Sequence, residues 1–308
     1  MPNIIHIGLR IPSVHPANIN QLQAFVLEAE TLGFHSIWVG DHVFHRGDVL
    51  DPLPLLGWIS ALTSKIRLGT SVLLGAYRNP ILLAKSTASL DYISNGRLTI
   101  GMSLGGTEVE FQSIGVPMKQ RASRLRENVQ ILRSLWSTES ACYHGRFFEI
   151  NEAQINPKPV QRPTIPIWFG GHSEPSLRRM VELADGWIGS ASGMNAAEFC
   201  SGVERINKYA IEAGRDPSSL DFAKLIQVSV DGDREKALRL AYDHWKSYYG
   251  PNYDVERTLV HGNLSDVVSG LSNYLQANVS EITLILEPST LELDQLHLLR
   301  DVAEKLAN

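Results

Sequence analysis

The chain has 308 residues, 44% of them hydrophobic and 20% charged, which suffices for a large buried core and excludes a disordered tail or a small disulfide-stapled module. Its 33 acidic and 28 basic side chains give a net charge of -5 without charge runs, which speaks against nucleic acid or an anionic membrane as partner. Cys142 and Cys200 lie far apart without metal-ligand spacing, and no uncharged apolar stretch reaches the ~18 residues of a membrane helix; with no signal-like N-terminal segment, a cytoplasmic location is expected.

Short β-branched runs alternate with longer segments whose apolar residues recur every three or four positions, the pattern of parallel strands joined by crossover helices. The first run, residues 4–11, leads into a helix with Leu22, Phe25, Val26, Ala29 and Leu32 on one stripe and Gly33 at its end. Strands at 36–39 and 66–74 come next, and Asn79-Pro80 then supplies an N-cap and a first-turn proline for a helix closed by Gly96. A fourth strand at 98–103 precedes a helix whose stripe is Leu125, Val129, Leu132 and Trp136. The rhythm breaks over 138–164 into a hairpin turning at Gly145 and a proline-stiffened connector, an insertion rather than a second domain. Strands at 165–169, 186–189, 224–230 and 281–286 complete eight units, and Leu296, Leu299, Val302 and Leu306 mark the last helix. Eight such units close most simply into an α/β fold, a (β/α)8 TIM barrel with insertions forming one domain over 1–308, with its reacting groups at the C-terminal rim. An open doubly wound sheet would place GxGxxG after a strand, a spacing that Gly101-Met102-Ser103-Leu104-Gly105-Gly106 does not meet.

The expected rim carries few ionisable groups. His42, after the second strand, has an imidazole able to exchange a proton near neutral pH, or merely to bond a loop carbonyl. Asp41, His42 and His45 could together start a metal site, but the later strand ends offer few further ligands, so no metal is expected. Gly69 to Ala76, including Ser71 and Val72, is an uncharged run that suits a flat apolar ring, as it suits ordinary barrel packing. Gly105 and Gly106 let backbone approach a ligand, and Glu108 and Glu110 follow at a helix start whose dipole favours carboxylates. Gly170, Gly171, His172 and Ser173 open another helix in the manner of a phosphate-binding turn, or of simple capping. Cys200 has no neighbouring nucleophile signature and reads as a buried thiol. The irregular stretch 248–261, with Tyr248, Tyr249 and Tyr253, is either a lid or a packed surface loop; with 46–54 it is expected to shape a substrate pocket.

Taken in order, Asp41-His42, Ile66-Arg67-Leu68-Gly69-Thr70, Arg78-Asn79-Pro80, the run from Leu90-Asp91 to Asn95-Gly96-Arg97-Leu98, Glu110-Phe111, Pro157-Lys158-Pro159-Val160-Gln161, Ile167-Trp168-Phe169-Gly170-Gly171 and Asp185-Gly186-Trp187 closely resemble the bacterial-luciferase-like superfamily, densely over about residues 4 to 190. The branch most similar is the one that uses the deazaflavin coenzyme F420. The resemblance implies an oxidoreductase holding coenzyme F420 at the rim, or FMN in an alternative two-component monooxygenase fed by a partner reductase. It implies a non-proline cis peptide at Ser71-Val72 behind the ring, with Asp41, Ser71, Val72, Gly105, Gly106, Gly170, Gly171, His172 and Ser173 as cofactor contacts. His42 is implied as catalytic base and Glu108 as proton donor, with Glu110 its rival because the turn differs in length from that of relatives. A small-molecule substrate and a homodimer through helices flanking the second and third strands are further expectations. A non-catalytic relative and a metal-dependent sugar isomerase on the same barrel are the competing readings.

Overall fold

The computed structural model describes residues 4–12, 18–45 and 49–307. Eight parallel strands form the wall of a barrel: β1 (Ile4–Arg10), β2 (Ser36–Val39), β3 (Arg67–Leu74), β4 (Leu98–Ser103), β7 (Ile167–Gly170), β8 (Gly186–Gly189), β9 (Asp221–Val230) and β11 (Glu281–Pro288). They hydrogen-bond in that order around the circle; β8 meets β9 from Gly186↔Asp221 to Gly189↔Lys224, and β11 closes on β1 from Ile4↔Glu281 to Leu9↔Leu286. The fold is therefore a closed (β/α)8 barrel. Outside it pack α1 (Ile19–Thr31), α2 (Pro52–Leu62), α3 (Pro80–Ile93), α5 (Arg121–Ser137), α6 (Glu174–Leu183), α7 (Ala196–Glu212), α8 (Arg234–Tyr249) and α10 (Leu293–Ala307), with the short α4 (Glu108–Ser113) after β4. No helix among the described residues is long and apolar enough to cross a membrane.

The expected helix signals operate as read: Asn79 caps α3 through Ile81 and Leu82 N–H groups, and Gly33 and Gly96 take positive φ just beyond their helices. The inserted hairpin is present as β5 (Ala141–His144) and β6 (Glu149–Ala153), antiparallel. One strand and one helix went unpredicted. β10 (Val260–Gly262) adds to the edge of β9, and α9 (Leu264–Ser272) follows; Asn263 and Asp266 form a reciprocal capping box there, a signal the sequence did contain. Tyr248 and Tyr249 belong to the end of α8, so the irregular stretch is shorter than expected.

Two separate apolar clusters explain where a ligand can go. The larger fills the space between strands and helices, while Trp38, Trp168, Ile188, Ala223, Leu225 and Ile285 pack inside the barrel. The two indoles stack with centroids 5.3 Å apart and fill the bore above a cavity at its N-terminal mouth. Glycines make the room: a Cβ on Gly69 would stand 2.2 Å from the Trp38 ring, and one on Gly101 2.1 Å from the Thr70 carbonyl oxygen. The bore being blocked, only its mouths remain open.

Several blocks that carry the family resemblance are latches between elements. The Asp91 carboxylate takes the N–H groups of Val160 and Gln161 and so pins the connector to α3. Arg97 donates to the carbonyls of Ser60, Thr63, Ile66 and Ser94, and Asp185 holds Arg133 and the Ile167 N–H. Each of these buried charges and carbonyls is thereby partnered.

Candidate active site

A cavity of about 330 Å³ opens at the C-terminal mouth above the indoles. The expected residues Asp41, His42, Ser71, Val72, Gly105, Gly106, Gly170, Gly171 and His172 all line it. The Ser71-Val72 peptide is cis, and the register between β3 and β4 shifts between Thr70 and Leu73, which turns Ser71 and Val72 onto the cavity wall. The Ser71 hydroxyl is buried without a hydrogen-bond partner. Ser173 is not on this wall; it caps α6 by position only, and its hydroxyl bonds that of Ser176.

His42 follows β2 on a loop whose backbone is held by Glu110, whose carboxylate accepts from the N–H groups of Val43 (2.9 Å) and Phe44 (3.3 Å). The same carboxylate accepts from Thr107 N–H at 2.7 Å and closes a capping box at the start of α4. Its Oε1 stands 3.9 Å from His42 Nδ1. Burial works against the Glu110 charge, but the N–H groups of Thr107, Val43 and Phe44 and the nearby His42 hold its pKa below the usual value. His42 is itself half-buried, and burial, with His45 and Arg10, lowers its pKa against the opposing pull of Glu110. The imidazole is thus predominantly neutral at pH 7 and able to accept a proton.

Glu108 lies elsewhere. It occupies the exposed first position of α4, accepts only from Gln112 at 3.3 Å and does not reach the cavity. The reason is helix phase: the capping box turns the third residue of α4 inward and leaves the first facing solvent. Gly106 answers to the same carboxylate, because a Cβ there would stand 1.8 Å from Glu110 Oε2; its role is to let Glu110 dock. Asp41 likewise has its oxygens committed, to Arg78 (2.9 Å) and the Leu74 N–H (2.9 Å), so it ties the ends of β2 and β3 together behind the wall. Among the described residues no three histidine, cysteine or carboxylate side chains come together to hold a metal, and Arg78 already occupies Asp41. Residues 46–48 of the expected pocket loop lie outside the described residues.

The structure adds one residue that was not anticipated, Arg10, and seats two expected at a pocket, Tyr248 and Tyr249. Arg10, at the end of β1, and Tyr248 and Tyr249, at the end of α8, complete the wall; His45 stacks on Tyr248 with centroids 4.2 Å apart. Only the position of Arg10 at the C-terminal end of a largely apolar strand hinted at its place.

A closed barrel with a cavity at its C-terminal mouth, a bulged uncharged strand on one side of it and a histidine beside it defines a TIM barrel with a candidate active site at its rim. Residues 5–278 match the family described as luciferase-like monooxygenase, and the chain belongs to that family. An uncharacterized protein of Mycobacterium tuberculosis is 40% identical over 209 residues, 61% of this chain and 73% of the relative. The F420-dependent glucose-6-phosphate dehydrogenase of Nakamurella multipartita is 30% identical over 228 residues, 71% of this chain and 66% of the enzyme. Among solved structures, the monooxygenase RslO1 from Streptomyces bottropensis superposes with a TM-score of 0.85 at 22% identity, covering 98% of each chain.

Proposed function

We propose that this protein is a coenzyme F420-dependent oxidoreductase that moves a hydride between the deazaflavin and a small organic substrate. The observation that carries the reading is the cavity wall contributed by β3, β4 and β7. It is small and uncharged, it is shaped by the Ser71-Val72 bulge, and it presents a buried hydroxyl with no partner. Those residues fit a flat ring with hydrogen-bonding edges: Ser71, Val72, Gly105, Gly170, Gly171 and His172 would hold it. A relative named for F420 supports the choice of ring. Bound there, a deazaflavin supplies a carbon that gives or takes a hydride and reacts poorly with oxygen. His42 takes the substrate hydroxyl proton in the oxidative direction and returns it in the reductive one. Glu110 favours the protonated imidazole through its charge and fixes the loop through the Val43 and Phe44 N–H groups.

FMN is the second reading, in keeping with a family described as luciferase-like monooxygenase. Titrating the protein with each oxidised cofactor separates the two, since Trp168 and Trp38 pack against Ile188, Ala191 and Leu225 of the cavity wall and report binding by quenching. Coenzyme F420 is expected to quench at micromolar concentration with FMN at least ~10-fold weaker, a difference of ~1.4 kcal/mol; the reverse order would establish the flavin reading.

The proposal includes a homodimer. Leu82, Tyr92 and Ile93 on α3 and the neighbouring Val160 are exposed large apolar side chains, and covering such a face is the ordinary reason for one. Sedimentation is expected to give twice the chain mass, and Leu82→Asp to shift the equilibrium toward monomer; a monomer mass for the parent at micromolar concentration overturns it.

A further inference from the structure

The wall of the cavity is not uniform, and its other side names a class of substrate. On β1, β11 and β9, three adjacent strands, Arg10, Glu287 and Gln227 form a buried polar layer near the C-terminal mouth. Glu287 and Gln227 are register partners, and Arg10 Nη1 donates to Glu287 Oε1. Arg10 reaches the cavity; Glu287 stands behind it and does not. The pair is therefore an oriented dipole whose positive end faces the ligand. Arg10 and Asp41 are the only residues of the described wall that carry a permanent charge, and the charge of Asp41 is matched by Arg78 behind it. Tyr248, bonded to Arg10, closes the layer, and its ring centroid lies 6.2 Å from that of His42. The guanidinium and the proposed base thus flank one tyrosine.

We infer that Arg10 is a specificity-determining residue that binds the carboxylate of a small hydroxy or oxo acid, presenting its carbinol or carbonyl carbon beside His42. This rests on the proposed hydride chemistry. In the oxidative direction the hydroxy acid gives its carbinol hydrogen as hydride to the oxidised deazaflavin and its hydroxyl proton to His42; an oxo acid and reduced deazaflavin result. Burying a charged pair is expensive, and a guanidinium turned toward a cavity recovers that cost when a carboxylate meets it in bidentate geometry. Burial also pushes the Glu287 carboxyl up to about 6, against the pull of Arg10, so the carboxylate behind Arg10 is itself held at a cost.

The test measures binding, not turnover. With oxidised F420 in place neither pyruvate nor acetone can be reduced, and the two differ in that acetone carries a methyl group where pyruvate carries its carboxylate. By calorimetry at pH 7.5, pyruvate is expected to bind at least ~30-fold more tightly than acetone, within the range of a desolvated charge-assisted contact. The double variant Arg10→Met, Glu287→Leu removes both charges together, which a fold tolerates far better than stranding one. It is expected to bring the ratio below about threefold while the affinity for F420 stays within about twofold. Arg10→Lys, which keeps the charge but loses the fork, is expected to fall between, and answers the question if the double variant does not fold. Equal affinities for pyruvate and acetone in the parent, or a ratio unchanged in either variant, overturns the assignment. If F420 itself does not bind, the cofactor reading fails, and the same comparison made without it still decides the role of Arg10.

Discussion

Glu110→Gln is expected to lower thermal stability and turnover together, while Glu108→Ala leaves both near the parent values. The Glu110 carboxylate accepts from the N–H groups of Val43, Phe44 and Thr107 and from the Thr107 hydroxyl, in a site without exposure. A carboxamide presents one acceptor oxygen and turns two N–H donors toward that cluster, so the loss is about 2–4 kcal/mol, the scale of charge-assisted bonds replaced by buried unsatisfied donors. Turnover follows because the charge 3.9 Å from His42 Nδ1 is lost and the loop that carries His42 loosens; the Coulomb interaction alone, about 1–4 kcal/mol between water and a partly buried site, corresponds to about tenfold or more. Glu108 is solvent-exposed and bonded only to Gln112, so its removal is a surface change within ~0.5 kcal/mol. Thermal unfolding and steady-state rates of the two variants check this, and equal damage from both would sink the assignment. The pH dependence has a definite sign: the Glu110 pKa is lowered on folding, so its contribution is complete above the unfolded value near 4.5 and is lost as pH falls through the folded value beneath it.

His42→Ala is expected to keep cofactor affinity and lose turnover by ~10²-fold or more, the usual cost of removing a general base. Binding survives because the surface offered to a ring is made by β3, β4 and β7, not by the imidazole. In the parent, burial, then His45 and Arg10, place the His42 pKa below 6.5 against the pull of Glu110, so the oxidative rate is flat above that value and falls as pH drops through the lowered one. The variant is expected to lose this acid limb. Near-normal turnover of His42→Ala, or an unchanged pH profile, removes His42 from the mechanism.

Much of the architecture was legible in the chain because it depends on local chemistry. Alternation of β-branched runs with three-and-four apolar stripes located all eight barrel strands to within three residues, and Asn79, Gly33 and Gly96 marked helix ends by capping and positive φ. The strand ends then pointed to the rim, where His42 and the glycine turns line the cavity, while the family resemblance singled out Ser71 and Val72. β10 and α9 escaped because three residues are too few to show alternation, although the capping box at Asn263 was readable.

What the tertiary structure alone decided is which groups face each other. Thr107-Glu108-Val109-Glu110 carries a capping-box spacing that marks Glu110 as the inward residue, a signal left unused, but only the approach of the Val43–Phe44 backbone shows what its carboxylate binds. Asp41 looked available until Arg78, 37 positions later, was seen to take it, and Arg10 meets Glu287 across 277 positions. Periodicity specifies the face a side chain occupies. Its partner depends on long-range closure, β11 against β1 for Arg10 and Glu287 and the approach of the β2 and β3 ends for Asp41 and Arg78, which leaves no local trace.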